Sequence, residues 1–196
     1  MISSDQKEIL GELINIAFGA ATSLIADLFD NFATLRIPLI DVISIDEVNQ
    51  VAKEGVDSDK FYTTTQQIKG SFQGEIVLVV GEKSARNMQL VIGEDENSDE
   101  TSLLQNILEI ANILGSSCMG KLVELLDSEI GFSPPSIRHT DLVVQNISES
   151  PYTQVIIIST VLEFKELNIK ANMVIMFGDE MYIKLCEALD NFLENI

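Results

Sequence analysis

The stretch Glu12-Leu13-Ile14-Asn15 returns as Glu109-Ile110-Ala111-Asn112, 97 positions further along the chain. Other landmarks share that shift. Pro38 lies 23 residues after Asn15, and Pro135 lies 23 residues after Asn112. Gly81 closes the apolar run Ile76 to Val80, and Gly178 closes Met173 to Phe177. One offset over most of the chain indicates a duplicated unit, which constrains the fold more than any single motif does. The expected organisation is one domain over 1–196 built of two repeats, 1–96 and 97–196.

On a helix, at about 100° per residue, Glu8, Glu12, Asn15 and Gly19 share one face. Leu10, Leu13, Ala17, Ala21, Leu24 and Leu28 lie opposite. The second copy repeats the division, with Gln105, Glu109, Asn112 and Ser116 against Ile107, Ile110, Leu114, Cys118 and Leu125. Each helix is therefore expected to bury an apolar stripe and to direct a carboxylate and a carboxamide outward, one turn apart. A single such pair reads as a solvated face. Its return at matched depth, with a matched proline, points to a contact.

The remaining pattern sets the fold class. Ser3-x-x-Gln6 is a capping box that opens a helix running to about Phe29. Arg36 to Ile40 breaks the helix at Pro38. Strands are expected over Val42–Val48, over Phe61–Thr65 and, after a turn at Gly70, over Phe72–Val80; residues 50–60 read as loop. The run 76–80 is apolar at every position, so both of its faces should be covered. Glu82–Ile92 reads as an amphipathic helix stopped by Gly93. The second half predicts a helix near 101–127, a break at Ser133-Pro134-Pro135, and a strand near Asp141–Asn146. Strands over Tyr152–Phe164 and Leu167–Phe177 and a helix over Asp179–Leu193 complete it. Short turns between successive strands favour antiparallel pairing. The fold class is thus α+β: a pseudo-twofold tandem repeat of helix–strands–helix units, with a mainly antiparallel sheet covered by helices and neither half complete alone.

Composition excludes several functions. A formal net charge of −19 repels phosphate backbones and anionic lipid, which argues against nucleic-acid and membrane partners. No apolar run approaches the 18 or so residues that a membrane helix needs, and the first residues lack a basic segment followed by an apolar one, so a cytoplasmic location is expected. Cys118 and Cys186 are too few and too far apart for a disulfide framework or a metal site, and read as buried thiols. His139 has no nucleophile signature nearby, and neither a glycine-rich nucleotide fingerprint nor a phosphate-binding loop is present. Asp95, Asn97 and Asp99 have the spacing of a calcium loop. Glu100 stands where its turn glycine belongs and Asn106 where its bidentate glutamate belongs, so the stretch reads as a linker with a helix cap. Chemistry, if any, must rest on Glu and Asn.

The doubled pattern Glu-x-x-Asn, 22 residues, Pro, here Glu12-x-x-Asn15 with Pro38 and Glu109-x-x-Asn112 with Pro135, resembles the CheC/FliY/CheX family of chemotaxis phosphatases. Two copies in one chain of this length are similar to CheC, whereas CheX carries one copy and dimerises. The resemblance implies removal of the phosphoryl group from the aspartate of a CheY-type response regulator. Asn15 and Asn112 would orient the attacking water. Glu12 and Glu109 would pair with the receiver's active-site lysine. Magnesium would come with the receiver and not from this chain. Family motifs usually begin with Asp or Ser four residues before the glutamate, where this chain has Glu8 and Gln105. The alternative is a non-catalytic adaptor of the same fold that binds the deamidase CheD or flagellar switch proteins. A third reading, an acidic structural protein, has both polar faces merely solvated.

Overall fold

The computed structural model describes residues 3–35, 39–54, 56, 58–92, 99–144 and 154–194. The all-apolar run 76–80 lies within β4 (Gly74–Gly81), and its counterpart lies within β8 (Ile169–Gly178). The two strands pair antiparallel, with Val77 opposite Val174. Those valines are each other's copies at the 97-residue shift. A residue paired with its own duplicate lies on a twofold axis, so the pseudo-symmetry of the molecule passes between these two side chains.

Hairpins extend the sheet on both sides. β3 (Phe61–Gly70) pairs with β4, and β7 (Gln154–Phe164) pairs with β8. The outermost strands are exchanged between the halves. β1 (Thr34–Leu35) and β2 (Leu39–Ser44) come from the first repeat but pair with β7 of the second. β5 (Ile130–Phe132) and β6 (Ser136–Thr140) come from the second repeat but pair with β3 of the first. Every pairing is antiparallel, and neither half makes a sheet edge without the other, as the duplicated pattern predicts.

Alternation along the central strands divides the core into two. Ile76, Leu78 and Val80 face α1 (Ser4–Phe29), α3 (Glu82–Val91), α4 (Glu100–Leu125) and α5 (Asp179–Glu194). Val77 and Val79 face a smaller cluster capped by Ile45, Val48 and Ala52, which belong to a 3-10 turn (Ile45–Glu47) and α2 (Val48–Ala52). Full burial of each aliphatic side chain contributes about 1.5–3 kcal/mol, and the two clusters account for the unbroken apolar reading of β4. On the smaller side, fully buried Asn172 holds the cover in place. Its Nδ2 donates to the carbonyls of Val51 (2.9 Å) and Ala52 (3.2 Å), and its Oδ1 accepts from Ser159 Oγ (2.9 Å). Both carbonyls lie at the end of α2, where that of Val51 also accepts from Glu54 N at 3.1 Å and that of Ala52 is beyond the helix's own bonds.

Local signals set the helix ends. Ser3 and Gln6 form the expected capping box, and Asp30 in the left-handed region (φ 46°) stops α1. The Asp99 carboxylate caps α4 by accepting from Ser102 N at 2.8 Å. By length and hydropathy alone α1 could cross a bilayer, contrary to the expectation from apolar runs. Here ten of its residues, Leu10 and Ile14 among them, are buried in the protein.

Two strands stand earlier than expected. The segment assigned to a strand over Val42–Val48 is extended only to Ser44, because Ser44-x-x-Glu47 is itself a capping box. Ser44 Oγ accepts from Asp46 N, and the Glu47 carboxylate accepts from Ser44 N. The chain therefore turns helical through Ala52, within what reads as loop. The strand expected near Asp141–Asn146 is instead β6, ended where Thr140 Oγ accepts from Leu142 N at 3.1 Å. Residues 145–146 lie outside the described set, as do Gly93, the carboxylate-rich stretch 94–98 and Pro38.

Gly74 tests the central pairing. A Cβ there would stand 2.3 Å from the Met176 carbonyl oxygen and 2.9 Å from Phe177 Cδ1. Gly74→Ala is expected to destabilise the protein by roughly 2–3 kcal/mol, read as a lower urea midpoint at unchanged slope. Asn172→Ala strands the Ala52 carbonyl under the small core and is expected to cost about 1–3 kcal/mol, with the loss measured in the same titration.

Candidate functional site

The two Glu-x-x-Asn pairs occupy twinned helices. α1 and α4 lie against one another on the same side of the sheet. Leu13, Ile14, Ile110 and Ala111, the residues between glutamate and asparagine, are all buried. Glu12, Asn15, Glu109 and Asn112 are all exposed. The structure thus places all four predicted residues at the surface, on helices whose opposite faces are locked into the core.

The edge strands carry a matched irregularity in the two halves. On one side the register steps by one residue between Leu35↔Leu162 and Leu39↔Ser159. On the other it steps between Ile68↔Phe132 and Thr65↔Ser136, around Ser133, Pro134 and Pro135. Such bulges re-aim neighbouring groups and gather next to functional sites. Prolines fit there because they need no ladder hydrogen bond. In the second copy the break is clamped to β3: Gln67 N donates to Ser133 Oγ and Ser133 N to the Gln67 carbonyl, each at 3.0 Å.

The surroundings of the two carboxamides differ. Gln66 Nε2 donates to Asn112 Oδ1 at 2.8 Å and to the Ser133 carbonyl at 3.0 Å. Among the described residues nothing hydrogen-bonds the Asn15 side chain. In the first copy the helix is instead fastened about two turns earlier, where Lys7 Nζ meets Asp41 Oδ1 on β2 at 2.9 Å. Hydrogen bonding from Lys7 and from the Val42 N–H holds the Asp41 carboxyl below its usual range. The outward surface of α1 is also more apolar. Ile16, Leu24 and Leu28 are each about half exposed, although Leu24 and Leu28 read as interior on the helical wheel. The buried face of α1 drifts around the helix, from Leu10 and Leu13 towards Thr22, Ile25 and Phe29, and leaves those leucines outside. The equivalent positions on α4 are Ile113, Lys121 and Leu125, of which Ile113 and Leu125 pack partly against the core.

Gln66 carries no local sequence motif. The hairpin strands are shifted differently from the rest of the repeat. Gly81 and Gly178 are copies, and their cross-strand partners are Phe61 and Val155, which are 94 apart and not 97. The counterpart of Gln66 is therefore Thr160, which only the register discloses.

The other candidates resolve simply. His139 stacks on Tyr62, with ring centroids 4.7 Å apart, and its Nε2 meets Glu82 Oε1 at 2.8 Å. It ties β6 to β3 and α3, and burial of the phenol beneath it pushes the Tyr62 hydroxyl pKa up. Cys118 is wholly buried and its thiol is pushed up by burial, while Cys186 is half-buried.

A family model described as chemotaxis phosphatase CheX matches residues 62–158. That span includes the second Glu-x-x-Asn motif and its proline and leaves the first motif outside. The fold is shared with FliY from Thermotoga maritima at 18% identity and a TM-score of 0.76, over 98% of this chain and 99% of that one. It is also shared with the middle domain of FliM from H. pylori (13%, TM-score 0.64, 95% and 99%). A third match is CheX from Desulfovibrio desulfuricans (12%, TM-score 0.59, 84% and 99%). The family model thus assigns residues 62–158 to the chemotaxis phosphatase CheX family, and the solved structures show that the chain as a whole has the fold of FliY and CheX.

Proposed function

We propose that the protein hydrolyses the aspartyl phosphate of a CheY-type receiver domain. The observation that carries this reading is the exposure of the same carboxylate–carboxamide pair on both twinned helices, each backed by a buried stripe that prevents the helix from rolling. An aspartyl phosphate is already a reactive mixed anhydride, so what a partner can add is chiefly alignment of the water. Asn15 or Asn112 inserted beside the phosphoryl group would hold that water in line. Its oxygen bonds to phosphorus as the bond to the aspartyl oxygen breaks, and the products are inorganic phosphate and the free carboxylate. In small GTPases a glutamine has the same task.

Glu12 and Glu109 stand one turn before the carboxamides and would engage the receiver's lysine through a charge-assisted hydrogen bond, setting the register of docking. Among the described residues no three carboxylate, imidazole or thiol groups gather in a ligating arrangement. In this reading the magnesium that receivers use would be supplied by the receiver. A cytoplasmic setting follows from such a partner.

A second reading has the fold serve as an adaptor, binding CheD or the flagellar switch without catalysis. The full-length likeness to the FliM middle domain favours it. The retention of both amide pairs favours the phosphatase, since an adaptor has no need of two outward carboxamides at one helical depth.

Adding the protein to a phosphorylated CheY-type receiver with magnesium is expected to speed loss of the phosphoryl group. Asn15→Ala combined with Asn112→Ala should return that rate to the receiver's own. Both positions are exposed, so the double variant should stay folded, losing within about 0.5 kcal/mol at Asn15 and about 0.5–1.5 kcal/mol at Asn112, which accepts from buried Gln66. An undiminished rate in the folded double variant rules out the carboxamide mechanism. Retention of flagellar switch proteins or CheD, with no effect on receiver phosphate lifetime, establishes the adaptor instead.

A further inference from the structure

The two carboxamides are not held alike, and the difference traces to a pair of compensating residues under the second site. Gln66 projects from β3 into the layer beneath α4 and is almost completely buried. The Ser133 carbonyl can only accept, so it requires the Nε2 end of Gln66. That end then also faces Asn112, whose Oδ1 is drawn inward. The Gln66 Oε1 at the other end has no partner among the described residues. A buried acceptor left bare is costly, and it persists here because turning the amide over would set oxygen against the Ser133 oxygen.

Room for this side chain is made by Gly115, one turn beyond Asn112. A Cβ at Gly115 would lie 3.0 Å from Gln66 Oε1 and 3.2 Å from Ile76 Cδ1. In the first copy the corresponding helix position is Phe18, buried, and the corresponding strand position is Thr160, also buried. One copy thus uses a large helix residue over a small strand residue, and the other uses glycine over glutamine. Only the second arrangement carries an amide donor to the asparagine.

We infer that Gln66 is a positioning residue that holds the Asn112 carboxamide in one orientation, with its Nδ2 hydrogens and one Oδ1 lone pair facing outward, so that the second site is pre-organised and the first is not. The catalytic part of this inference rests on the proposed phosphatase reading; the anchoring part does not. Immobilising a positioning group before the partner arrives removes an entropic cost from the step in which water is aligned.

Two measurements test it. In the ¹⁵N-labelled protein, relaxation of the side-chain amide groups should show Asn112 more ordered than Asn15. Gln66→Met, which keeps the volume and removes the donor, should bring Asn112 to the mobility of Asn15. Gly115→Ala, whose Cβ would stand 3.0 Å from Gln66 Oε1 and push the amide out of its place beneath Asn112, should loosen Asn112 in the same way and supplies a second route should the first variant fold poorly. Equal mobility of the two asparagines in the unmodified protein, or no change on substitution, overturns the anchoring.

Turnover is then compared with each site isolated. With Asn15→Ala as background, Gln66→Met should lower kcat on a phosphorylated receiver about tenfold with KM little changed. With Asn112→Ala as background it should change neither. A loss shared by both backgrounds, or seen in neither, overturns the positioning role, since a merely structural defect would not select one site. Absence of any turnover in the unmodified protein refutes the phosphatase reading, while the relaxation data still decide the anchoring.

Discussion

The antiparallel contact between β4 and β8 is the constraint on which the rest of the molecule depends. With Val77 set against Val174, every other element acquires a counterpart by a half-turn. A slip of one residue would move each strand's side chains to the wrong face, and it would also destroy the correspondence between the halves. Because the pairing is buried on both sides by apolar layers, register and symmetry are enforced by the same contacts. α1 and α4 then lie side by side as a consequence, and their polar stripes emerge on the same side of the sheet.

Against that symmetric frame the differences between the copies stand out. The glutamates and asparagines occupy equivalent exposed positions, yet what lies beneath and beside them has diverged. α1 is pinned early, by Lys7 on Asp41, and shows solvent a set of half-exposed aliphatic residues. α4 instead carries Lys121 where α1 has Leu24, and its asparagine is tied from below by Gln66. Equivalent chemistry at the tips therefore rests on unlike supports, which is where a difference in behaviour between the two sites would originate.

Much of this architecture could be read from residue order. The repeat, the two long helices, the apolar strand covered on both faces and the outward direction of Glu12, Asn15, Glu109 and Asn112 all follow from periodicity and a shared offset. Where the reading of strand limits failed, a local hydrogen bond had outweighed propensity. Ser44 with Glu47 turns the chain before Val48 is reached, and Thr140 closes β6 before Asp141. The exposure of Leu24 and Leu28 was hidden because a wheel assumes one fixed contact face, whereas the buried face of α1 migrates along the helix. Gln66 was illegible for a different reason. Its relation to Asn112 spans two elements distant in sequence, and its counterpart is displaced from the common offset by a change in hairpin length.

The exchange of outer strands has a consequence for how such a chain could have arisen. Either half alone would present a hairpin lacking its neighbour, and edge strands lacking a hairpin to join. A gene for one half could yield a finished protein only by trading those strands with a second, identical molecule, and any substitution would then appear at both ends of the pair at once. Joining the halves in one polypeptide keeps the trade but makes it internal. From that moment Gly115 with Gln66 in one half, and Phe18 and Thr160 at the corresponding positions of the other, could be selected separately. The fused chain is in effect a heterodimer that never has to find its partner, free to specialise one face while conserving the other.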